Sequence, residues 1–282
     1  MPHPVIFDRR LLRARLARAA AIGPATFLLD RVADDIAERL SAVLRRFDIA
    51  ADLGTPTDAV RRAIADRVGA IAAVVADEEA LPFREASLDL VVSALVLQFV
   101  NDLPGTLIQV RRALKPDGLF LAAMIGGESL AELRAAFAEA EAEVEGGVSP
   151  RVAPFADLRD LGALLQRAGF ALPVTDIDRI TVRYASPLAL MHDLRRMGAG
   201  NALTERRRTP LRRATLRRVL EVYAERFSDP DGRIRATFEI VWLSGWAPHE
   251  SQQQPLAPGS AKTRLADALK TKEVSAGEKA GR

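Results

Sequence analysis

Residues 75–83 of the chain read Val-Ala-Asp-Glu-Glu-Ala-Leu-Pro-Phe. The run follows an apolar stretch, residues 69–76, which predicts that Asp77 stands where a buried strand ends. An acid in that position can accept a hydrogen bond from a ligand's amino group, and the apolar residues after it can close a wall. By its chemistry alone the run is better explained as a solvated acidic turn, so its context decides.

Strands and helices alternate on both sides of this run. The predicted strands are 47–54, 69–76, 88–97, 119–125, 173–184 and 236–246, and the predicted helices are 9–21, 25–46, 57–67, 103–114, 128–145, 157–168, 187–198 and 209–227. The strands are almost wholly apolar, which is typical of a parallel sheet with helices on both faces. We therefore expect an α/β, Rossmann-like domain over 47–250. An N-terminal helical segment (1–46) precedes it, a helical lobe (187–228) is inserted before its last strand, and a flexible basic tail (251–282) follows.

Asp52-Leu53-Gly54 is the second feature, at the end of the first predicted strand. In an open α/β sheet, ligands bind beyond the carboxyl ends of the strands, near the point where the strand order reverses. A glycine there lets the bare backbone approach a ligand. Only Gly54 is present in a turn that often carries several glycines, and Pro56 lacks an N–H that could face a ligand. Alone, the turn is equally typical of an ordinary strand–helix junction.

Three motifs in order carry a resemblance to the class I methyltransferases. Residues 77–83 resemble their adenine motif Asp-x-Glu-x-Leu-Pro-Phe, residues 88–93 their fourth strand, and residues 114–118 their turn into the fifth strand. The resemblance implies a mostly parallel sheet with S-adenosylmethionine (SAM) as cofactor. The cofactor-binding residues that it implies are Asp52, Gly54, Asp77, Glu78, Ser93 and Leu97. Gln98 and Phe99, directly after the fourth strand, are the candidates for the acceptor side.

Further segments narrow the resemblance. Phe7-Asp8-Arg9 and the runs at 100–104, 126–130, 145–150 and 246–251 are similar to the family of the mitochondrial complex I assembly factor with a methyltransferase fold, described as a protein-arginine hydroxylase. This resemblance covers about residues 5–260 and implies a cytoplasmic bacterial relative that acts on a partner protein. The arginine-rich start is then mature sequence. Gln98-Phe99 adds a more distant similarity to the malonyl-carrier-protein methyltransferase of biotin synthesis.

The interval between two of these motifs is short. Gly54 and Asp77 are 23 residues apart, with one predicted helix and one predicted strand between them. A complete methyltransferase has two of each there, and a single parallel crossover needs about a dozen residues. We therefore expect a sheet one strand–helix unit short, with strand 69–76 beside the first strand. The acid that holds the ribose hydroxyls would be lost, weakening SAM binding by about 1.5–3 kcal/mol per hydrogen bond.

Composition excludes other kinds of site. The chain has no cysteine, and His3, His192 and His249 are not at metal-ligand spacing, so no metal site is expected. The longest apolar stretch, near residues 90–100, is too short to cross a bilayer. The net charge of +3 is small for 282 residues. Any strong charge must therefore be local.

Two local charge runs stand out. The arginines of residues 206–218 have no aromatic residues between them, so nucleic acid is not expected as a partner. They form either a solvated helix face or a docking surface for an acidic protein or anionic lipid headgroups, so peripheral membrane contact stays open. The acidic helix predicted over 128–145 is interpreted as a solvated lid or a partner-facing surface.

Three functions are compatible with these features. A SAM-dependent methyltransferase needs little acid–base chemistry, because its catalysis is mainly positioning. A protein-modifying assembly factor, such as the arginine hydroxylase of the resemblance, would need an oxidant, and the sequence shows no iron ligands. The third is a non-enzymatic assembly protein with a decayed cofactor site, which the single glycine and the missing unit favour. We favour an enzyme; the sequence identifies neither its acceptor nor its oligomeric state.

Overall fold

The computed structural model describes residues 5–74, 77–253 and 265–272. Its α-helices are α1 (Arg9–Ile22), α2 (Phe27–Ser41), α3 (Ala59–Ala63), α4 (Leu103–Ala113), α5 (Ala131–Glu145), α6 (Leu158–Arg167), α7 (Pro187–Arg196), α8 (Arg213–Phe227) and α9 (Leu265–Ala268). Its strands are β1 (Phe47–Leu53), β2 (Val68–Val74), β3 (Leu88–Ala94), β4 (Leu114–Ile125), β5 (Ala171–Tyr184) and β6 (Ile234–Trp246). Short 3₁₀ helices cover Ala65–Arg67 and Leu97–Phe99. The last two residues of the predicted strand 69–76 lie outside the described residues.

Six strands of the described residues form one sheet, in the order β2-β1-β3-β4-β6-β5. The first four run parallel, and β6 is antiparallel to both β4 and β5. The predicted α/β fold with a mostly parallel sheet is confirmed, as is the position of β2 beside β1. Leu53 pairs in register with Val74, so β1 and β2 end at the same edge of the sheet.

Helices cover both faces because successive side chains of a strand point to opposite sides. On one face, Ala50 and Val92 join a core built with apolar side chains of α2, α3, α5, α7 and α8. On the other face, Ala51 and Val91 pack with side chains of α4 and α6. Helices α7 and α8 lie between β5 and β6 in the chain, which is the helical insertion that the sequence predicts.

Several elements end elsewhere than their periodicity predicts. The strand predicted over 88–97 ends at Ala94, because Leu95 turns the backbone into the left-handed region at φ +57°. The helix predicted over 128–145 begins at Ala131, since Leu130 has φ +56°. The helix predicted over 57–67 is divided into α3 and a 3₁₀ turn.

The residues up to Pro248 form one compact unit, and those from His249 onward form a second. In the second unit, α9 is a single short turn, and His249 Nδ1 lies 2.6 Å from Ser251 Oγ. In the described part of the chain, no helix combines the length and the apolar surface that a membrane crossing requires.

Candidate functional site

The strand order reverses between β1 and β3. From β1 the chain moves outward to β2 and then crosses to β3 on the other side of β1. A crevice opens beyond the carboxyl ends of the strands at such a reversal, and this is where α/β proteins bind their ligands. Gly54 follows β1, Asp77 follows β2, and Leu95 follows β3. Three segments that the sequence singles out therefore meet at one edge.

Gly54 is required at the end of β1 for two reasons. Its φ of +77° is one that residues with a side chain rarely adopt, and a Cβ on it would lie 2.8 Å from both Glu78 Oε1 and Val96 Cγ1. The Glu78 carboxylate therefore lies against the glycine turn. The acid that holds the ribose hydroxyls was expected to be missing with the strand–helix unit, but an acid, Glu78, does stand beside this turn. Because β2 takes the place next to β1, it delivers the acidic run to that position.

Three consecutive acids after β2 converge on one guanidinium, that of Arg9 at the start of α1. Its Nη2 lies 3.1 Å from Asp77 Oδ1, its Nη1 lies 3.3 Å from Glu79 Oε1, and it also contacts Glu78. Arg13 adds a 3.1 Å contact to Asp77 Oδ2. Partial burial opposes the effect, but the Glu79 backbone N–H and the two arginines lower the pKa of Asp77. The carboxylate is therefore charged at neutral pH.

Asn101 ties the N-terminal segment to the same acids. Its Oδ1 accepts hydrogen bonds from the backbone N–H groups of Ile6 (2.9 Å) and Phe7 (2.8 Å), and its own N–H donates to Glu79 Oε1 at 2.6 Å. Sequence reasoning assigned no site role to Arg9 or Asn101. Both lie in runs that carry the family resemblance, which was the available signal.

Helix α4 forms hydrogen bonds with the backbone of the acidic run, residues 77–81. The Thr106 hydroxyl donates to the Glu78 carbonyl at 3.1 Å, and the Gln109 amide bridges the Glu79 carbonyl (2.8 Å) and the Leu81 N–H (3.0 Å). Leu81 also packs against the apolar core beneath α4. The contacts of α4 thus fix the backbone of the run. The acidic side chains of the run remain free to contact the Gly54 turn and α1.

Asp52 is directed into the protein. Its side chain is fully buried, and Oδ2 lies 2.7 Å from Arg61 Nη1. Burial raises its pKa, against the opposing effects of the Thr55 hydroxyl and Arg61. Asp52 Oδ1 and Thr55 Oγ1 are both buried without a hydrogen bond of normal geometry, although the two groups are close enough to interact. The turn therefore retains unused hydrogen-bonding capacity next to Gly54.

Ser93 and Leu97 lie at the same edge of the sheet, but their side chains are buried in the protein interior. The Ser93 hydroxyl is buried and donates to the Leu53 carbonyl at 2.9 Å, which joins β3 to the end of β1. Leu97 is 1% exposed and belongs to the core beneath α4. Both residues shape the crevice through the backbone that they hold.

Gln98 and Phe99 form the 3₁₀ turn after β3. The Gln98 amide donates to the Leu95 carbonyl at 2.6 Å, while its buried Oε1 has no hydrogen-bond partner. The Phe99 ring meets the Phe7 ring edge-on, with 5.6 Å between the centroids. The acceptor-side candidates and the N-terminal segment are thus in direct contact.

Comparisons with known proteins show the family of the chain. Residues 36–122 match the model of a methyltransferase domain. The chain is 37% identical over 289 residues to the mitochondrial arginine-hydroxylase NDUFAF5 of Danio rerio, across 94% of this chain and 90% of that protein. It is 40% identical to the Homo sapiens protein over 281 residues, across 91% and 81%. The chain belongs to the NDUFAF5 family of methyltransferase-fold proteins.

This NDUFAF5 family member is also similar in sequence to a methyltransferase of another name. Malonyl-[acyl-carrier protein] O-methyltransferase of Halorhodospira halophila is 36% identical over 265 residues, across 85% of this chain and 88% of that protein. Among solved structures, a Bacillus halodurans protein assigned to the methyltransferases matches with a TM-score of 0.50 over 77% of this chain and 99% of its own. Its 14% identity shows the fold alone.

The methyltransferase motifs of the sequence and the matched methyltransferase domain imply SAM as the cofactor. The residues at the switch point are of the right kind to hold it. Gly54 leaves the backbone bare, and the carboxylates of Asp77 and Glu78 can accept hydrogen bonds from amino and hydroxyl groups. Asp52 Oδ1 and Thr55 Oγ1 are buried polar atoms without a hydrogen bond of normal geometry beside the same turn. The donor and acceptor set fits the cofactor.

Two arginines of the basic run pair with acids of helix α5. Arg218 of α8 lies 2.6 Å from Glu143 of α5 and 3.6 Å from Glu139, and Arg207 contacts Glu145. The Thr215 hydroxyl donates to Glu145 at 2.6 Å. The acidic face of α5 is therefore neither a solvated lid nor a free partner surface. It holds α8, which the sequence could not show because the partners are about 70 residues apart.

Proposed function

We propose that the chain is a SAM-dependent enzyme that modifies a partner protein, with SAM held at the switch point of the sheet. The convergence of the Gly54 turn with the acids after β2 carries this proposal. Asp77 accepts from the adenine amino group, and Glu78 accepts from the ribose hydroxyls. A pair of charge-assisted hydrogen bonds from the ribose hydroxyls to one carboxylate is a strong and specific polar contact.

Positioning is the main contribution of the protein to such a reaction. SAM, when bound, supplies an electrophilic methyl group. The chain orients the acceptor and excludes water, and the contact between Phe7 and Phe99 closes the crevice on the side where Gln98 lies. The unsatisfied Gln98 Oε1 is available to orient an acceptor N–H or O–H group.

The relatives' names indicate the class of acceptor. One relative is an arginine-hydroxylase, and the other methylates a malonyl group on acyl-carrier protein. We infer that the acceptor here is carried by a partner protein in the bacterial cytoplasm, with assembly of respiratory complex I as the process served. Methyl transfer is favoured over hydroxylation because it needs only SAM and the positioning groups named above.

Calorimetric titration of SAM into the full chain tests the cofactor assignment. Asp77→Ala and Glu78→Gln each remove one proposed contact, and we expect each to weaken SAM binding at least about tenfold, the equivalent of about 1.4 kcal/mol. Glu85→Gln is the matched control, since Glu85 lies in the same loop and is 72% exposed, and among the described residues its one ion pair is with exposed Arg112. Unchanged affinity in both crevice variants would overturn the assignment.

A non-enzymatic assembly protein is the second candidate. The observation that favours it is that each acid at the crevice already has an arginine partner: Asp52 pairs with Arg61, and the acids after β2 pair with Arg9. A cofactor that needs these carboxylates competes with guanidinium groups. If the wild-type chain shows no SAM binding at high micromolar SAM, this candidate stands and the enzyme is excluded.

A further inference from the structure

A second cavity lies away from the switch point, between α1, α5 and the segment before α8. Its volume is about 480 Å³, which falls within the range of about 300–1,000 Å³ that small-molecule sites occupy. Its polar lining consists of Arg15, Arg151, Asn201, Arg206, Arg207 and Arg208. Five guanidinium groups thus surround one space, and no carboxylate is among the lining residues.

Three of the five arginines are neutralised from outside the cavity. Arg206 lies 3.3 Å from Asp8 Oδ2, Arg207 contacts Glu145, and Arg151 contacts Glu141. In the described part of the chain, Arg15 and Arg208 form no salt bridge, although the charge of Asp8 acts on both. The five lining arginines and the absence of a lining carboxylate still leave the cavity with a net positive charge, which favours an anionic occupant.

The guanidinium of Arg15 gives the clearest sign of an incomplete site. Its Nη1 is buried and donates to no acceptor. Burial is the main cause that lowers the pKa of Arg15, and the neighbouring charges of Arg206 and Arg18 add to it. A buried charged donor without an acceptor is costly, and an incoming oxyanion would satisfy it.

The surrounding contacts hold the cavity open in this arrangement. Asn201 donates to the Pro150 carbonyl at 2.6 Å and accepts from the Leu203 N–H at 3.1 Å. The Arg151 guanidinium stacks 5.5 Å from the Phe137 ring centroid. Arginine forks fixed in this way match the planar geometry of carboxylate and phosphate oxygens.

We propose that this cavity binds an oxyanion group, a carboxylate or a phosphate, on a ligand of this protein. A guanidinium group is excluded from it by like charge, so an arginine acceptor cannot enter here. Arg15 and Arg9 are six residues apart on α1, about 9 Å along the helix axis. An oxyanion in the cavity thus lies near the helix that holds the acids of the switch point, yet its binding does not depend on SAM.

The test is a calorimetric titration of the full chain, without SAM, with inorganic phosphate and with succinate. Sodium chloride at matched ionic strength serves as the reference anion. We expect saturable binding of one of the two probes, and the probe that binds more tightly identifies the class of oxyanion. An Arg15→Met and Arg208→Met double variant should weaken that binding at least about tenfold.

Two controls keep the result interpretable. Arg217→Met removes an 81% exposed arginine outside the cavity lining and should leave binding unchanged. Arg208→Met alone changes an exposed residue, so it reports on the site if the double variant fails to fold. Heat of binding no greater than with chloride for both probes, or equal affinity in the cavity variants and Arg217→Met, would overturn the proposal.

Discussion

The carboxylate of Glu78 lies against Gly54, so closely that a Cβ on the glycine would come within 2.8 Å of Glu78 Oε1. The two residues belong to segments that follow neighbouring parallel strands, β1 and β2. Their contact places an acid beside the only glycine of the turn that follows β1. The geometry of the candidate cofactor site depends on this pair.

Gly54→Ala should therefore damage both stability and SAM binding. The left-handed φ costs about 1–2 kcal/mol for any residue with a Cβ, and displacing Glu78 and Val96 adds about 1–3 kcal/mol of overpacking. Gly232→Ala is the matched control, because Gly232 has φ +79° with open space around it. Urea denaturation compares the two, and SAM titration follows on the folded variants. Equal destabilisation by both substitutions would show that Glu78 does not crowd the turn.

Arg9→Ala should destabilise the chain at neutral pH and much less in acid. The pKa of Asp77 is lowered in the folded state, so its ion pairs stabilise the fold above the ordinary aspartate pKa of 3.8 and are lost as pH falls through the lowered value. Urea denaturation at about pH 7 and about pH 3 measures the difference between wild type and variant. Arg10→Ala, on an exposed neighbour in α1, is the control. A deficit that is the same at both pH values would contradict the electrostatic account.

Hydrophobic periodicity was enough to predict the fold. The apolar strands and the amphipathic pattern of α2 are local signals, and they placed the sheet and its helical cover correctly. The 23-residue interval before Asp77 correctly predicted β2 beside β1. It did not predict the acid at Gly54, because counting residues shows that a unit is missing but not where the loop after β2 will run.

Most of the site contacts that were missed are distant in sequence. Arg9 and Glu78 are 69 residues apart, and Arg218 and Glu143 are 75 apart. A run of charged residues in a sequence does not show which oppositely charged run it will pair with. Ion pairs have no characteristic sequence spacing from which their partners could be predicted. Asn101 was hidden for the same reason, as its role depends on two backbone N–H groups some 94 residues away.

Glu141→Ala should be among the most destabilising substitutions in α5. Its side chain has no exposed area, and it accepts hydrogen bonds from the Ser149 N–H (2.7 Å) and hydroxyl and from Arg151 Nε (2.7 Å). Removing one member of a buried ion pair costs about 3–5 kcal/mol. The loop after α5 should also become sensitive to protease. Glu143→Ala removes a half-exposed acid two residues away, whose ion pair with Arg218 is at the surface, and should cost much less than Glu141→Ala. Comparable denaturation midpoints for the two variants would refute the assignment of Glu141 as the anchor of this loop.

Phe99→Ala should lower activity while leaving the chain folded, because Phe99 closes the crevice but is only partly buried. Its edge-on contact with Phe7 makes a sharper measurement possible. In a double-mutant cycle with Phe7→Ala, we expect a coupling energy of about 0.5–1.5 kcal/mol, the usual value for an aromatic pair. If the N-terminal segment closes the site through this contact, Phe7→Ala and Phe99→Ala should lower turnover to a similar extent, and the double variant should be little worse than either. Full additivity in both stability and turnover would mean that the two rings act independently and that the segment does not close the crevice.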